Sequence, residues 1–354
     1  MYEAAGTPLR LESFPLPKLA AGEVLVRVRC CTVCGSDVHT YNGDRQTPVP
    51  TVLGHEILGD VAALGPGGVV GCDGRPLREG DRVTWSVAAN CGDCFYCGHA
   101  IPQKCERLFK YGHERVSDHH PLSGGLSEYC HLAKGTAVLA VPPEVPDLVA
   151  CPANCATATV AGAWRLAGGC RDEVVLIQGA GMLGLTACAM AQAGGAKEVI
   201  VCDVDAERLR AASEFGATRC VLIEPDGAAL ASAVEDATDG RGVDVAMELC
   251  GAPEAFEAGL DLLRIGGRCV LVGAVFPARP AAIEAEKIVR RLLTIRGLHN
   301  YTPDDLRSAM AFLAEHHHRY PFLSLVSRQF GLDEAEAAFQ YSLAQKPARV
   351  AVVP

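Results

Sequence analysis

The sequence predicts an α/β protein with two domains, one rich in β-strands and one built on a doubly wound parallel sheet. Its 354 residues exceed the roughly 250–300 at which a single hydrophobic core stops growing, and 49% of them are apolar. The first third is rich in glycine and proline and carries short alternating runs, such as residues 24–29. From about Asp172, apolar runs alternate with alanine-rich helical stretches, which is typical of a parallel sheet covered by helices.

The second domain should contain a strand in each apolar run and a helix in each gap. Glycines at 194–195, 216 and 266–267 stand where a helix must end and the chain must return to the sheet. Residues 293–297 are expected to end the domain, and two helices should follow, from about Thr302 to His316 and over residues 333–344. The predicted strands are residues 174–178, 199–203, 220–223, 244–249 and 269–273.

The composition argues against several kinds of partner. The net charge of −10 disfavours nucleic acid and anionic membranes, since both are bound mainly through lysine and arginine. No apolar run is long enough to span a bilayer, and residues 1–5 lack the basic and apolar regions of a signal peptide. We therefore expect a cytoplasmic protein whose 17 cysteines are mostly reduced and serve as metal ligands or small buried side chains.

Four cysteines in one polar loop predict a structural zinc site. Three are spaced by two residues and the fourth follows a gap of seven, so all four can close around one tetrahedral ion. An iron–sulfur cluster of the bacterial ferredoxin type is the alternative, but its fourth cysteine follows after about three residues and precedes proline. Here the fourth cysteine precedes Glu106. The predicted zinc ligands are Cys91, Cys94, Cys97 and Cys105.

A Gly-x-Gly-x-x-Gly motif between the strand at 174–178 and an alanine-rich helix predicts a dinucleotide site. Gly179 permits a tight turn, Gly181 lets the backbone approach a pyrophosphate, and Gly184 allows close helix packing. Met182 and Leu183 lie at the start of the helix, whose free N–H groups bind phosphate.

Asp203 predicts NAD rather than NADP as the dinucleotide. It lies nineteen residues beyond Gly184, at the end of the next strand, where a carboxylate accepts hydrogen bonds from the ribose hydroxyls and repels a 2′-phosphate. Arg208 nearby is the residue that most weakens this preference. The alternative role for Asp203 is that of a helix N-cap.

Three further segments carry the soft and borderline ligands of a catalytic zinc ion that keeps one position open. The first begins at Cys34 and includes Ser36, Asp37 and His39; the others contain His55 with Glu56, and Cys155.

With these residues, nearly the whole chain resembles the zinc-dependent alcohol dehydrogenases of the medium-chain dehydrogenase/reductase superfamily. The matching motifs are Gly54-His-Glu, Gly80-Asp-Arg-Val, the four-cysteine lobe and the glycine fingerprint, in the family's order. The resemblance implies a GroES-like catalytic domain made of residues 1–155 and 299–354, with the zinc lobe at 91–105. It implies a Rossmann NAD-binding domain over residues 156–298. It also implies a homodimer or homotetramer. We expect the interface between subunits at an edge strand near residues 269–276.

The same resemblance implies Cys34, His55 and Cys155 as the catalytic zinc ligands. In the polyol-dehydrogenase branch a glutamate occupies the third position, but no acidic residue lies between Cys151 and Cys155 here. Cys151 and Asn154 remain the lesser candidates. Glu56 is similar to a residue that can visit the metal during ligand exchange, and its alternative role is a buried salt-bridge partner.

The remaining polar residues of these segments fit the handling of a proton. Asp37 would orient His55 by accepting its other ring N–H. Ser36 would accept the proton of an alcohol whose pKa the zinc lowers, and hydride would pass to NAD. His39 would be the outlet to solvent, or else an ordinary surface histidine.

The substrate is predicted to be a small alcohol, and several basic residues in the expected pocket segments favour one with an anionic head group. Each of them alone is a typical solvated loop residue. Together, residues 111–114, 152–160 and 298–301 resemble a bacterial branch of the family associated with phosphonate catabolism, which implies a hydroxyalkyl phosphonate or similar alcohol. Polyols and amino-cyclitols are the alternatives. The basic residues are Arg45, Lys110, His113, Arg115 and His299; Trp85 and Tyr111 are also expected in the pocket.

Two rival classes explain less of the sequence. A quinone reductase of the same superfamily would use NADPH and lack the metal ligands. A zinc-module nucleic-acid binder would explain the four cysteines, but it would explain neither the glycine fingerprint nor the acidic charge.

Overall fold

The computed structural model describes residues 1–225 and 227–354. The chain divides into two compact units, the first made of Met1–Ala158, Thr302–His317 and Phe322–Pro354, the second of Thr159–Tyr301 and His318–Pro321. The strands are β1 Val24–Thr32, β2 Glu56–Leu64, β3 Arg82–Ala89, β4 Phe109–Lys110, β5 Tyr129–Leu132, β6 Thr136–Ala140, β7 Val174–Gln178, β8 Glu198–Asp203, β9 Arg219–Leu222, β10 Val243–Glu248, β11 Leu263–Leu271, β12 Thr294–Gly297, β13 Val326–Gly331 and β14 Arg349–Val353. The α-helices are α1 Gly35–Asn42, α2 Phe95–Gly98, α3 Asp147–Ala150, α4 Ala156–Ala167, α5 Met182–Ala193, α6 Ala206–Ala212, α7 Ala228–Thr238, α8 Pro253–Leu262, α9 Ala285–Arg290, α10 Pro303–His316 and α11 Ala335–Gln345. Short 3₁₀ turns lie at Pro102–Lys104, Cys151–Asn154, Phe322–Leu325 and Leu332–Glu334.

The first unit is built on a curled sheet with the strand order β13-β14-β1-β2-β3-β4, to which β5 adds on β1 and β6 on β3. Side chains alternate in the middle of β1, where Val26 and Val28 are buried and Arg27 and Arg29 are exposed. Strands β1 and β2 run antiparallel with Thr32 opposite Glu56. The residues just after β1 and just before β2 therefore lie side by side at the same end of this strand pair.

The second unit contains a parallel sheet with the strand order β12-β11-β10-β7-β8-β9. The chain runs outward from β7 through β8 to β9, and then returns to the other side of β7 with β10. This reversal makes the sheet doubly wound, and ligands of such sheets bind where the order reverses, beyond the carboxyl ends of the strands. Strand β7 covers the predicted residues, and β8, β9 and β10 each begin one residue earlier than predicted.

Strand β11 departs from two of the sequence-based expectations. It begins at Leu263, directly after α8, so Gly266 and Gly267 lie inside the strand and do not end a helix. It is also an inner strand, because β12 pairs with it in parallel. The expectation that residues near 269–276 form the sheet edge is therefore wrong. In the described part of this sheet, the edges are β9 and β12.

Two helices of the tail belong to the first unit. The first of them, α10, begins with a capping box in which Thr302 and Asp305 satisfy each other's backbone N–H groups. The second, α11, buries Ala338 and Phe339 against β13 and β14. Over residues 1–225 and 227–354, no helix combines the length and the apolar character needed to cross a membrane.

Candidate active site

The four cysteines of the predicted structural zinc site converge. Their sulfur atoms all lie within 4.8 Å of one another. Cys94 precedes α2 and Cys97 lies within it, while the turn at Pro102–Lys104 brings Cys105 back to the other two. The backbone N–H groups of Cys91 and Arg107 each donate to the Cys105 sulfur at 3.3 Å. Four thiols in one shell form the donor set of a closed tetrahedral zinc site, so the residues fit this ion.

The surroundings of these thiols change how readily each of them ionises. Backbone N–H groups of Glu106 and Cys97 lower the pKa of Cys94 to about 6, whereas the Asp93 carboxylate raises the pKa of Cys91 to about 12. Four thiolates at this spacing repel one another, so they ionise together only around a bound cation.

A second cluster contains Cys34, His55, Glu56 and Cys155, with one ligand atom of each within 4.8 Å of the others. We call it the catalytic cluster. Cys34 follows β1 as the N-cap of α1, and His55 precedes β2, so the pairing of the two strands brings them together. Cys155 follows the turn at Cys151–Asn154. Two thiols and an imidazole are the ligand set of a catalytic zinc that keeps an open position, and the residues fit that ion as well.

Asp37 connects the start of α1 to His55. One oxygen of its carboxylate accepts the Cys34 backbone N–H at 3.0 Å, and the other lies 2.9 Å from His55 Nδ1. Burial acts to lower the pKa of His55, but Asp37 and Cys34 together outweigh it and raise this pKa to about 10. Because Nδ1 faces the carboxylate, Nε2 is the nitrogen turned toward the cluster, 3.4 Å from Ser36 Oγ. His39 is exposed, and its Nδ1 lies 3.1 Å from an oxygen of Asp44.

Glu56 belongs to the catalytic cluster and is also a buried salt-bridge partner. Both its oxygens lie 2.6 Å from the guanidinium of Arg349, and Thr32 donates a further hydrogen bond at 2.7 Å. Burial raises the pKa of Glu56 to about 7, against the opposing effect of Arg349. Arg349 also lies 3.4 Å from the Cys34 sulfur. The hydrogen bond from Cys155, reinforced by Arg349, holds the pKa of Cys34 well below its ordinary value.

The two lesser candidates for third ligand lie behind the cluster. Cys151 directs its sulfur at the backbone carbonyls of Cys30 and Glu56, both at 3.3 Å. Asn154 donates to the carbonyls of His55 and Trp85, at 3.0 and 2.9 Å. Both side chains therefore support the backbone that carries His55, and of the three candidates only Cys155 has its ligand atom in the cluster.

Two basic residues, Lys110 at the end of β4 and Arg45 after α1, bear on the charge near the catalytic cluster. Burial lowers the pKa of Lys110 to about 8; Arg45 adds to the lowering, while Cys155, Asp37 and Cys34 oppose it. The charges of Arg45 and of the cluster therefore both act on Lys110. Among the described residues, no carboxylate oxygen lies within 4.0 Å of the charged groups of Lys110 or Arg45.

The other residues expected in the pocket are placed differently. His113 is 7% exposed, and its ring centroid lies 5.3 Å from that of His55. Arg115 is exposed. Trp85 and Tyr111 are wholly buried core residues that pack edge to face, and so do not present their rings to a ligand. His299 is exposed and belongs to the second unit.

The glycine fingerprint forms the turn between β7 and α5. Gly179 has a φ of +104°, which only glycine adopts readily, and a Cβ at Gly184 would lie 1.7 Å from the carbonyl oxygen of Gly179. A Cβ at Gly181 would meet no protein atom within 4 Å, so the open space there faces the N-terminus of α5. Met182, the first residue of α5, is buried, and Leu183 is partly exposed.

Asp203 ends β8 beside this turn. One of its oxygens accepts the Ala180 N–H at 2.7 Å and the other accepts the Asp205 N–H at 2.9 Å. The N-cap of α6 is Asp205, whose carboxylate accepts the Glu207 N–H, so the alternative role for Asp203 as helix cap is wrong. Arg208 on the same helix lies 3.7 Å from Asp205.

The missed residue of this site is Arg349. It opens β14, a strand that is otherwise apolar, and a charge at the start of such a strand is a weak signal. Its pairing with Glu56, almost three hundred residues away in the chain, is not encoded in any local motif.

Comparisons with known proteins identify the family. Residues 20–143 match the model of the alcohol dehydrogenase GroES-like domain, and residues 183–315 match that of the zinc-binding dehydrogenases. An L-threonine 3-dehydrogenase of Edwardsiella ictaluri is 30% identical over 92% of this chain and 90% of its own length. A 5-exo-hydroxycamphor dehydrogenase of Pseudomonas putida is 30% identical over 94% and 92%. An alcohol dehydrogenase of Thermotoga maritima superposes with a TM-score of 0.93 at 29% identity, covering 99% of this chain and 97% of its own.

These similarities, together with the thiol clusters, confirm the predicted fold class, the class of enzyme, and zinc and NAD as cofactors. They also support zinc-dependent oxidation of an alcohol as the general activity. The chain belongs to the zinc-dependent alcohol dehydrogenases of the medium-chain dehydrogenase/reductase superfamily.

Proposed function

We propose that this enzyme oxidises, reversibly, a small alcohol that carries an anionic group, with a hydroxyalkyl phosphonate as the representative substrate. The observation that carries the proposal is the pair of cations beside the catalytic cluster, Lys110 and Arg45, for which no carboxylate partner lies within 4.0 Å among the described residues. Both side chains are partly buried, so an anionic ligand gains charge-assisted hydrogen bonds there without displacing an existing salt bridge.

Cys34, His55 and Cys155 would hold the catalytic zinc, and residues 156–298 would bind the dinucleotide. When bound, zinc supplies a Lewis acid that lowers the pKa of a coordinated alcohol, and NAD supplies the hydride acceptor. Asp37 holds one proton on Nδ1, so Nε2 is the nitrogen that would give up its proton on metal binding and supply the lone pair that a metal ligand needs. Ser36 would relay the proton of the alcohol, accepting it at its hydroxyl oxygen while releasing its own hydroxyl proton, and His39 would pass that proton to solvent.

The ion pair between Glu56 and Arg349 reduces the net negative charge of the cluster. Arg349 donates to the Glu56 carboxylate and to the Cys34 sulfur, so it compensates part of the negative charge that two thiolates and a carboxylate would otherwise concentrate. This pairing keeps Glu56 in the cluster without an exposed charge. We propose that the carboxylate approaches the metal only when the ligand set changes.

The names of the relatives support the substrate class. L-threonine 3-dehydrogenase is named for an alcohol that carries a carboxylate, whereas 5-exo-hydroxycamphor dehydrogenase is named for a neutral, apolar alcohol. The fold therefore accommodates both kinds, and the side chains around the cluster decide between them. In this chain two cations lie there, which favours the anionic kind.

A turnover panel tests this substrate class. We expect kcat/KM to be at least about tenfold higher for hydroxyalkyl phosphonates than for neutral alcohols of the same chain length, because charge-assisted hydrogen bonds contribute about 1.5–3 kcal/mol. Sorbitol and L-threonine in the same panel represent the polyol and amino-acid alternatives. If kcat/KM for the phosphonates is no higher than for the neutral alcohols, the proposal is refuted.

Variants of Lys110 connect the panel to the proposed site. Lys110→Gln should lower kcat/KM for the phosphonates about tenfold more than for the neutral alcohols, and Lys110→Arg should restore part of the difference. The matched control is Lys134→Gln, which removes an exposed lysine elsewhere in the same unit. An equal effect of both glutamine variants would show that net charge, rather than this site, selects the substrate.

We also propose that Asp203 selects NAD over NADP. Asp203→Asn retains the shape of the side chain and removes its charge, so the ratio of kcat/KM for NAD to that for NADP should fall by at least about tenfold, because the repulsion of the 2′-phosphate is lost. Asp205→Asn is the control, since it removes a neighbouring charge and keeps a good helix cap. Steady-state kinetics with both dinucleotides measure the ratio, and an unchanged ratio in Asp203→Asn would contradict the assignment.

A further inference from the structure

His113 has one ring nitrogen without a partner, although the side chain is buried next to the catalytic cluster. Its Nε2 makes no hydrogen bond to any described residue, the residue is 7% exposed, and its ring lies 5.3 Å from that of His55, centroid to centroid. Buried polar atoms are almost always satisfied, because an unmade hydrogen bond is costly. An orphan atom beside His55 therefore lacks a hydrogen bond that a ligand group would complete.

The other nitrogen of the ring identifies what kind of ligand group fits. His113 Nδ1 lies 2.8 Å from the backbone oxygen of Tyr111. A carbonyl oxygen only accepts, so this contact assigns the proton to Nδ1 and leaves the lone pair of the neutral ring on Nε2. His113 Nε2 is thus an acceptor. It matches a hydroxyl or amine donor and does not match an anionic oxygen.

The backbone around His113 holds the ring in place. The His113 N–H donates to the Lys110 carbonyl at 3.1 Å, and Thr47 Oγ1 donates to the His113 carbonyl at 3.1 Å. The Gly112 N–H donates to the Ser123 carbonyl at 2.8 Å. Burial, His55 and Lys110 all lower the pKa of His113, which keeps its ring neutral. Because Lys110 is only three residues away, the same short segment carries one donor group and one acceptor group.

We propose that His113 is a specificity-determining residue whose Nε2 accepts a hydrogen bond from a second hydroxyl or an amine on the carbon next to the reacting alcohol. The inference rests on the proposed active site and extends it. Lys110 and Arg45 select the anionic group, and His113 selects a neighbouring donor. The substrate class is then a vicinal diol or amino alcohol that also carries an anionic group.

Paired substrates that differ by one hydroxyl test the assignment. One pair is 2,3-dihydroxypropylphosphonate and 2-hydroxypropylphosphonate; the neutral pair is propane-1,2-diol and propan-2-ol. For each pair the quantity measured is the ratio of kcat/KM of the diol to that of the mono-alcohol, in the zinc-loaded full-length enzyme with NAD. Because the extra hydroxyl also alters intrinsic reactivity, the change of this ratio in a variant reports on His113.

Three variants separate the two nitrogens. The amide of His113→Asn can donate to the Tyr111 carbonyl as Nδ1 does, but it has no group at the position of Nε2. His113→Gln places an amide oxygen near the position of Nε2 and is the matched control. His113→Phe retains a ring without either nitrogen, and it provides a second measurement if His113→Asn does not fold.

We expect His113→Asn and His113→Phe to lower the diol-to-mono-alcohol ratio about tenfold, and His113→Gln to retain most of it, since the substrate hydroxyl would otherwise be buried without a partner. Ratios that are unchanged in both His113→Asn and His113→Phe would overturn the inference. The variants could lower the diol-to-mono-alcohol ratio for the neutral pair while the wild type shows no higher kcat/KM for phosphonates than for neutral alcohols. That outcome would support the role of His113 and refute the anionic substrate class, so the two proposals fail separately.

Discussion

Replacing Cys34 with serine is expected to lower kcat by at least about 1,000-fold in a protein that still folds. The hydroxyl of serine is a poor zinc ligand, whereas the change in side-chain volume is small. A metal acting as Lewis acid contributes several kcal/mol to the stabilisation of the transition state, and each 1.36 kcal/mol corresponds to a factor of ten. Steady-state kinetics and metal analysis measure the effect, and the variant should contain one zinc ion fewer than the two of the wild type.

The control for this variant is another buried thiol close by. Cys151→Ala removes a sulfur atom that contacts backbone carbonyls and lies outside the catalytic cluster. It should retain both zinc ions and turnover within a factor of about three, at some cost in stability. If Cys151→Ala lost a zinc ion and its activity while Cys34→Ser retained both, the ligand set proposed here would be wrong.

Replacing Cys97 with serine should act on stability first. The four-cysteine site is remote in sequence from the catalytic ligands, and none of its sulfur atoms lies in the catalytic cluster. Binding of a structural zinc contributes directly to folding free energy. Because about 1 kcal/mol shifts Tm by about 2–4 °C in proteins of this size or somewhat smaller, we expect Tm to fall by at least about 10 °C.

Thermal unfolding, followed by circular dichroism, and metal analysis check this prediction. Cys72→Ser is the matched control, since Cys72 is a partly buried thiol of the same unit outside both clusters, and its Tm should change by no more than about 3 °C. The protein that remains folded after Cys97→Ser should keep its catalytic zinc. A variant with unchanged Tm and two bound zinc ions would refute a structural role for this site.

Local motifs carried most of the information about the two cofactors. The four cysteines and the glycine fingerprint each lie within a short segment, so their spacing already restricts the geometry of what they can bind. The strands of the parallel sheet were predicted to within a residue at β7, β8, β9 and β10, because their apolar runs are short and separated by helices. Strand β11 was misjudged, since it begins at Leu263 and ends at Leu271 rather than spanning residues 269–273, and a pair of glycines occurs inside it.

Contacts between distant segments were much harder to predict from the sequence. The order of strands at the edge of the sheet depends on backbone pairing between β11 and β12, which no apolar pattern specifies. The expected subunit interface was therefore placed on an inner strand. Arg349 was missed for a related reason. Its partners Glu56 and Cys34 are close only because β14 pairs with β1.

The sequence by itself thus determined the family, the zinc and NAD chemistry and the candidate ligands, because these depend on residue types at short spacings. The tertiary structure decided which of several plausible residues share one site. It placed Cys155 with Cys34 and His55, placed Cys151 and Asn154 behind them, and buried Trp85 and Tyr111 in the core. It also revealed the orphan nitrogen of His113. Whether a polar atom has a partner depends on every chain segment packed around it, and this property has no counterpart in the linear sequence.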